Sequence, residues 1–193
     1  IMRDSILLEI KESISVKEKL YNSKSEIEKI ERLVEICLNA LKNDNKIIFC
    51  GNGGSFADSQ HLTAEFVSRL RFDRSPLSAI CLGTNSSNLS AISNDYGYEK
   101  VFERELVSLA RQGDVFIPIS TSGNSKNIIC AINQAQKLNL KIFGLTSENG
   151  GEMAKICDTI NVPSNSTEKI QECHIMIGHI ICYLIEKEIF YDK

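Results

Sequence analysis

Two residues that lie four positions apart, His61 and Glu65, could together transfer protons or bind a metal ion. In a helix this spacing places both side chains on one face. An imidazole and a carboxylate can act as an acid and a base, and their nitrogen and oxygen atoms suit a divalent cation such as zinc. The same spacing is common in exposed helical pairs without a chemical role, so the pair needs support from other residues.

The last apolar segment of the chain carries a second group of polar residues, Gln171, His174 and His179, on a predicted helix. At about 100° per residue, Gln171 and His179 differ by roughly 80° around the helix and can share a broad face. Their Cα atoms would be about 12 Å apart along the axis, so one ion could contact both only from a position between them. His174 is well separated from His179 around the helix and is predicted to be a buried structural residue.

Two loops rich in glycine and serine, residues 51–55 and 120–125, each directly follow an apolar run that is typical of a buried strand. A strand that leads through such a loop into a helix presents free backbone N–H groups and the positive end of a helix dipole, which attract anions. The two loops therefore predict a phosphorylated small-molecule ligand, the alternative being two ordinary turns. Farther along, Asn94 and Asp95 could line a sugar or form a cap and a turn.

Composition and charge narrow the class of protein. The chain has 193 residues, of which 42% are hydrophobic and 24% are charged, with a formal net charge of −3. These values are typical of a globular protein and exclude disordered, collagen-like and coiled-coil classes. The length suits one domain that extends over residues 1–193. Because no basic stripe is visible, nucleic acid is not expected as a ligand.

The cysteines and the hydropathy of the sequence indicate the cellular compartment of the protein. Seven cysteines lie singly in apolar segments, with no CxxC pair, which predicts reduced core residues. No leader-like segment opens the sequence, and no uncharged apolar run reaches the length that spans a bilayer. We therefore expect a cytoplasmic protein that does not bind a membrane.

Periodicity predicts the elements that position these residues. Apolar residues recur at helical spacing over residues 5–43, with a break at Asn22 and Ser23, and Ser25 with Glu28 has the spacing of a capping box for the second helix. Helical segments then separate five short apolar runs, at residues 46–50, 77–82, 115–119, 141–145 and 159–162. This alternation predicts a three-layer, doubly wound α/β fold with a five-stranded parallel sheet and long N-terminal helices. Both glycine-rich loops then fall at the carboxyl ends of strands, where such folds bind ligands.

Two further features of the chain bear on this prediction. Pro118 lies within the third apolar run, although proline cannot donate a hydrogen bond to a sheet and belongs at edges, ends or bulges. Its position just before the second glycine-rich loop reduces the conflict. Residues 166–190 have an apolar stripe at helical spacing and predict a long, largely buried final helix.

Five segments of the chain resemble the sugar isomerase (SIS) domain family. They are CGNGGSFADSQHLTAEF, SNDYGY, GDVFIPISTSGNSKNI, FGLTSENGG and KIQECHIMIGHIICYLIE, and they lie across the chain after Ile47. The STSGNS loop alone is typical of the wider family, which also includes sugar-sensing regulators. The pairing of His61 with Glu65, together with the spacing of Gln171 and His179, favours the members that isomerise heptose phosphates.

The resemblance implies a role for each site residue. Glu65 would act as the base and His179 as the acid. The residues that would bind the substrate phosphate are Ser120, Thr121, Ser122 and Ser125. Those that would surround the sugar are Asn52, Gly53, Gly54, Ser55, Asn94, Asp95 and Gln171. The residues that would bind one zinc ion per subunit are His61, Glu65, Gln171 and His179.

The resemblance also implies a reaction and an assembly. The reaction is the conversion of D-sedoheptulose 7-phosphate to D-glycero-D-manno-heptose 7-phosphate through a cis-enediol. It would be the first step towards a nucleotide-activated heptose for surface polysaccharide, such as lipopolysaccharide or capsule. The assembly is a homotetramer with active sites at subunit interfaces, in which residues 1–45 form a helical extension used for assembly.

Two departures and two alternatives accompany the resemblance. Glu168 stands where an aspartate is more usual, and Pro118 replaces a smaller residue before the phosphate loop. The first alternative is a SIS protein without catalytic activity that binds a phosphosugar or the bacterial replication initiator. The second is an isomerase of another sugar phosphate, for example a pentose phosphate.

Overall fold

Five parallel strands form one sheet in the order β2-β1-β3-β4-β5 in the computed structural model, which describes residues 1–191. The strands are β1 (Ile47–Gly51), β2 (Ala79–Cys81), β3 (Val115–Ile119), β4 (Lys141–Ser147) and β5 (Asp158–Val162). Each strand lies within two residues of a predicted apolar run, which confirms the parallel α/β sheet.

Helices lie between the strands and at both ends of the chain. They are α1 (Met2–Tyr21), α2 (Lys24–Lys42), α3 (Gly54–Val67), α4 (Ser86–Tyr96), α5 (Val101–Leu109), α6 (Lys126–Lys137), α7 (Met153–Ile156) and α8 (Thr167–Phe190), with a short 3₁₀ turn at Tyr98–Lys100. The long final helix is confirmed, with Ser166 as its N-cap residue.

Alternate residues of each strand face opposite sides of the sheet, as the period of two in a strand requires. In β1, Ile47 and Phe49 pack into a core formed with α2, α3 and α8. Ile48 and Cys50 pack into a second core formed with α5 and α6. The two cores cover both faces of the sheet and give the predicted three layers.

Pro118 lies in the central strand β3, opposite Cys50 of β1. On the other side, β3 pairs with β4 at Val115, Phe116 and Ile119, and the pairing is interrupted at residues 117–118. Proline has no N–H to donate, so the interruption falls where the ladder would lack a donor. The strand therefore tolerates the proline just before the second glycine-rich loop.

The two N-terminal helices break at residues 22–23, as predicted, but the predicted capping box is wrong. Helix α2 begins at Lys24, so its N-cap residue is Ser23 and not Ser25. The Ser23 hydroxyl lies 3.3 Å from the Ser25 hydroxyl, and no side chain caps the helix. The short turn, in which the Ser23 N–H donates to the Leu20 carbonyl, starts the helix before Ser25 can serve as its cap.

The cysteines follow the sequence prediction. All seven are free, five of them are buried, and Cys130 and Cys157 are partly buried. Burial raises the pKa of the Cys81 thiol to about 12, and the Glu105 carboxylate adds to this shift. Within residues 1–191, no helix combines the length and hydropathy needed to cross a membrane.

Candidate active site

His61, Glu65 and His179 meet where α3 packs against α8. His61 Nε2 lies 2.8 Å from His179 Nε2 and 3.1 Å from Glu65 Oε1. The helical i,i+4 spacing aligns His61 with Glu65, and α8 brings in a histidine from 118 positions farther along the chain. The structure therefore brings together three of the residues that the sequence singled out for chemistry.

The donor atoms of this cluster fit a zinc ion. One atom from each of His61, Glu65 and His179 lies within 4.8 Å of the other two. Two imidazole nitrogens and one carboxylate oxygen are a donor set found in catalytic zinc sites, which keep a fourth position open for water or substrate. The Glu65 side chain is only 17% exposed, whereas His61 is 49% exposed, so the cluster lies at the protein surface with its carboxylate partly shielded.

Gln171 lies in a neighbouring part of the site, against the first glycine-rich loop. A β-carbon on Gly54 would lie 2.5 Å from Gln171 Nε2, so a larger residue at this position would displace the Gln171 amide. Gln171 lines a cavity of about 310 Å³ between the two loops. The other lining residues are Asn52, Gly53, Gly54, Ser55, Ile119, Ser120, Thr121, Ser125 and Thr167. His179 instead lines a separate depression with Leu70 and Tyr183.

The second glycine-rich loop is held in shape by its own hydroxyls. Ser120 Oγ accepts a hydrogen bond from the Gly123 N–H and lies 3.3 Å from Ser125 Oγ. Ser125 is the N-cap residue of α6, so the first free N–H groups of that helix lie beside the cavity. Ser122 differs, because it is exposed, accepts a hydrogen bond from the Asn124 N–H and does not line this cavity.

Gly123 is required by the fold of this loop. Its φ of 64° is in the left-handed region, and an added β-carbon would overlap the Gly150 carbonyl. The Gly123 carbonyl also accepts a hydrogen bond from the Met153 N–H at 3.0 Å. The segment after β4 therefore holds the second glycine-rich loop, which follows β3, in its conformation.

Sequence reasoning missed two residues near Asn52. The side-chain amides of Asn52 and Asn127 exchange two hydrogen bonds, each of 2.9 Å, and the Tyr98 hydroxyl donates to Asn52 Oδ1 at 2.8 Å. The three residues line one cavity of about 420 Å³. By contrast, Asn94 and Asp95 are exposed and bonded to each other, and they line neither this cavity nor the one at Gln171.

His174 is buried, as predicted. Its Nε2–H donates to the Thr146 carbonyl at 3.1 Å, and its Nδ1 has no hydrogen-bond partner among residues 1–191. Burial lowers the pKa of His174 from 6.5 to about 4, against the opposing effect of the hydrogen bond to Thr146. The ring is therefore neutral and anchors α8 to the end of β4.

Asp58 lies one helical turn before His61. Its Oδ2 atom is buried and has no hydrogen-bond partner within the described part of the chain. Burial raises the pKa of the Asp58 carboxyl, and the nearby His61 opposes that shift. A second carboxyl therefore lies near the cluster, in a partly apolar setting.

The comparisons with known proteins agree with this fold. Residues 12–147 match the SIS domain. The chain is 48% identical to phosphoheptose isomerase from Clostridium acetobutylicum, over 100% of this chain and 98% of that protein. It is 50% identical to phosphoheptose isomerase from Sulfurimonas denitrificans, over 99% of this chain and 98% of that protein.

Solved structures give the same result. The structure of phosphoheptose isomerase from Neisseria gonorrhoeae superposes with a TM-score of 0.90 at 38% identity, covering 97% of this chain and 100% of that one. The structure of a phosphoheptose isomerase from Francisella tularensis superposes with a TM-score of 0.91 at 30% identity, covering 97% of this chain and 99% of that one. Fold and site together define an isomerase built on a SIS domain. Within the SIS domain family, the chain belongs to the phosphoheptose isomerases.

Proposed function

We propose that the chain interconverts D-sedoheptulose 7-phosphate and D-glycero-D-manno-heptose 7-phosphate through a cis-enediol. The observation that carries this proposal is the meeting of Glu65, His61 and His179 on α3 and α8, the two helices whose N-terminal turns line the cavity between the glycine-rich loops. The shared family name, phosphoheptose isomerase, supports a phosphorylated heptose as substrate.

The reaction needs one carbon-bound proton and one oxygen-bound proton to move between C1 and C2. Glu65 removes the proton from C1 of the ketose while His179 protonates the carbonyl oxygen at C2, which gives the enediol. His179 then takes the proton from the oxygen at C1 and Glu65 returns a proton to C2, which gives the aldose. The proximity of both side chains to His61 supports their acting on one substrate at one site.

The serine-rich loop would hold the phosphate, away from the reacting carbons. Ser120, Thr121 and Ser125 line the same cavity as Gln171, and Ser122 would contribute from the exposed side of the loop. Asn52, Gly53, Gly54 and Ser55 would bind the sugar from the first loop, with Asn94 and Asp95 beyond it. Binding energy from the phosphate can then orient C1 and C2 at Glu65.

The zinc ligands would be His61, Glu65, Gln171 and His179, with one ion per chain. When bound, zinc would polarise the substrate oxygens or hold the open-chain sugar. Glu65 would be a weaker base as a zinc ligand than as a free carboxylate, so we infer that it is a ligand only in part of the cycle. Gln171 is the ligand that most needs testing, because it lines the phosphate-loop cavity and not the depression at His179.

We also propose a single SIS domain whose residues 1–45 assemble a homotetramer with interfacial active sites. Support comes from α1, which leaves Ile6, Leu7, Leu8, Ile10 and Ile14 at least half exposed. Such a row of exposed apolar residues is typical of a surface that packs against another chain. The seven free cysteines support a reducing compartment, the cytoplasm. There the product would be the first intermediate towards an activated heptose for surface polysaccharide.

One experiment tests both the substrate and the cofactor. The purified protein is assayed on sedoheptulose 7-phosphate before chelation, after chelation and after addition of zinc, and its metal content is measured. We expect turnover that chelation abolishes and zinc restores. Glu65→Gln should abolish turnover while circular dichroism shows an unchanged fold. A wild-type protein that binds the sugar phosphate without converting it would contradict the proposal and favour a non-catalytic binding protein.

A further inference from the structure

An ion pair between Arg74 and Glu186 is buried beside the site. Arg74 Nε donates to Glu186 Oε1 at 3.0 Å, and the two side chains are 3% and 0% exposed. Glu186 also accepts the backbone N–H groups of Leu70 at 3.1 Å and Arg71 at 3.0 Å. The carboxylate therefore has several donors, as a buried charge requires.

Most of the remaining hydrogen bonds of Arg74 go to the end of α3, and one goes to the Ser75 carbonyl at 3.1 Å. Nη2 donates to the backbone carbonyl of Glu65 at 2.7 Å, and Nη1 donates to those of Phe66 at 2.7 Å and Ser68 at 3.2 Å. The last carbonyls of a helix have no partner within the helix, and a cation there also interacts favourably with the helix dipole. Arg74 thus caps α3 at the residue that carries the candidate base.

The same ion pair connects to the helix that carries the candidate acid. Glu186 follows His179 by seven residues, which is close to two full turns of α8. His179 and Glu186 therefore lie on one face of α8, the face that packs against α3. The Arg74 guanidinium therefore contacts both helices. It donates to the backbone carbonyl of Glu65 in α3, and it pairs with Glu186, which lies on the same face of α8 as His179.

We propose that Arg74 is a positioning residue, which sets the distance between Glu65 and His179 by clamping the C-terminal turn of α3 to α8. The inference rests on the proposed roles of Glu65 and His179. Arg74 touches neither reacting atom in this account, and its effect reaches the chemistry through the backbone of Glu65.

Arg74→Lys distinguishes the effect of the hydrogen bonds to α3 from the effect of the positive charge next to Glu186. Lysine keeps a positive charge for Glu186, but a single ammonium cannot reproduce the planar fork that reaches the carbonyls of Glu65 and Phe66. Glu186→Gln is a milder second variant, to be used if Arg74→Lys fails to fold. The amide oxygen of the new glutamine can still accept a hydrogen bond from Arg74.

A second buried ion pair in the chain provides a matched control. Asp114 accepts Lys46 Nζ at 2.6 Å, the Lys46 N–H at 3.0 Å and the Arg111 N–H at 2.7 Å. It joins the starts of β1 and β3, at the end of the sheet opposite the glycine-rich loops. Lys46→Met therefore removes an ion pair whose carboxylate also accepts backbone N–H groups, as that of Glu186 does, and it changes no contact of α3 or α8.

The experiment compares wild type, Arg74→Lys, Glu186→Gln and Lys46→Met, each shown to be folded by circular dichroism. The measurements are kcat, KM, the denaturation midpoint, and the affinity and visible spectrum of bound cobalt(II). For Arg74→Lys we expect kcat to fall by about 10- to 100-fold with KM within about 2-fold. Cobalt affinity should fall by about 10- to 100-fold, as for other groups that orient metal ligands. Glu186→Gln should show the same effects to a smaller degree.

Lys46→Met should lower the denaturation midpoint and leave kcat and cobalt binding unchanged. If Arg74→Lys lowers the midpoint like Lys46→Met but keeps the wild-type kcat and cobalt spectrum, Arg74 is merely structural and the inference is wrong. Cobalt binding needs no turnover, so it tests Arg74 even if wild type fails to isomerise the sugar. In that case the proposed function fails while an altered cobalt site in Arg74→Lys still shows that Arg74 positions Glu65.

Discussion

Gly178 of α8 lies directly against the side chain of Leu62 of α3, and a β-carbon at Gly178 would overlap the leucine methyl groups. Leu62 follows His61 and Gly178 precedes His179 in the sequence. The close approach of the two helices at this glycine therefore allows the Nε2 atoms of His61 and His179 to lie 2.8 Å apart.

Gly178→Ala should separate the two helices and weaken the site. Alanine gains up to about 1 kcal/mol in helix propensity over glycine, but overpacking a buried contact costs about 1–3 kcal/mol. Since Leu62 is 1% exposed and cannot move away freely, we expect a net loss of stability and a lower kcat. Urea denaturation and steady-state kinetics measure both effects.

Leu62→Ala provides the control for that variant. On its own it leaves a cavity, whereas in the Gly178→Ala background it makes room for the new methyl group. The double-mutant cycle should therefore show a favourable coupling between the two changes. Strictly additive free energies of unfolding would show that Gly178 and Leu62 do not limit the helix spacing.

Ser125→Ala should weaken phosphate binding without changing the fold. Its hydroxyl lies 3.3 Å from Ser120 Oγ at the N-terminus of α6 and lines the cavity between the loops. Loss of one hydrogen bond to a charged phosphate is worth about 1.5–3 kcal/mol, so inhibition by inorganic phosphate should weaken by about 10-fold or more. Ser108→Ala, near the C-terminus of α5 and outside this cavity, is the control. Equal inhibition constants for wild type and Ser125→Ala would exclude this loop as the phosphate site.

His174 predicts a pH dependence of stability. Its pKa is lowered by burial from 6.5 to about 4 in the folded protein, so the unfolded chain binds more protons between these values. The contribution of His174 to stability is therefore complete above pH 6.5 and decreases as the pH falls towards 4, by at most about 1.4 kcal/mol per pH unit.

His174→Gln removes this titration and keeps an N–H donor for the Thr146 carbonyl. The free energy of unfolding, measured between pH 7.5 and 4.5 at one protein concentration, should decrease less steeply with acidification than in wild type. Identical slopes for the two proteins would show that the ring does not stay neutral in the fold.

Much of the fold could be predicted from local sequence patterns. The central strands β1 and β3 are short apolar runs dominated by Ile, Val and Phe, and burial on both faces makes such runs continuous. The pairing of His61 with Glu65 follows from helix geometry alone. The capping box at Ser25 failed because several residues near a helix start can act as the cap, and the turn after α1 decides among them.

Contacts between distant parts of the chain could not be predicted. The bond between Tyr98 and Asn52 and the ion pair between Arg74 and Glu186 join residues 46 and 112 positions apart. Nothing in the local pattern distinguishes such residues from exposed polar ones, because only the packing of α3, α8 and the sheet brings them together. For the same reason, sequence patterns could not show that Gln171 lines the cavity at the second glycine-rich loop while His179 lines a separate depression.

The proposed proton transfer by Glu65 can be tested directly by running the isomerisation of sedoheptulose 7-phosphate in D₂O. Proton removal at C1 and return at C2 through an exchangeable carboxyl should introduce deuterium at C2 of the aldose, seen as loss of that proton signal by NMR. Glu65→Gln should form no deuterated product, while Lys46→Met should behave as wild type. An aldose that carries no deuterium at C2 even after prolonged reversible turnover, or undiminished product formation by Glu65→Gln, would contradict the account.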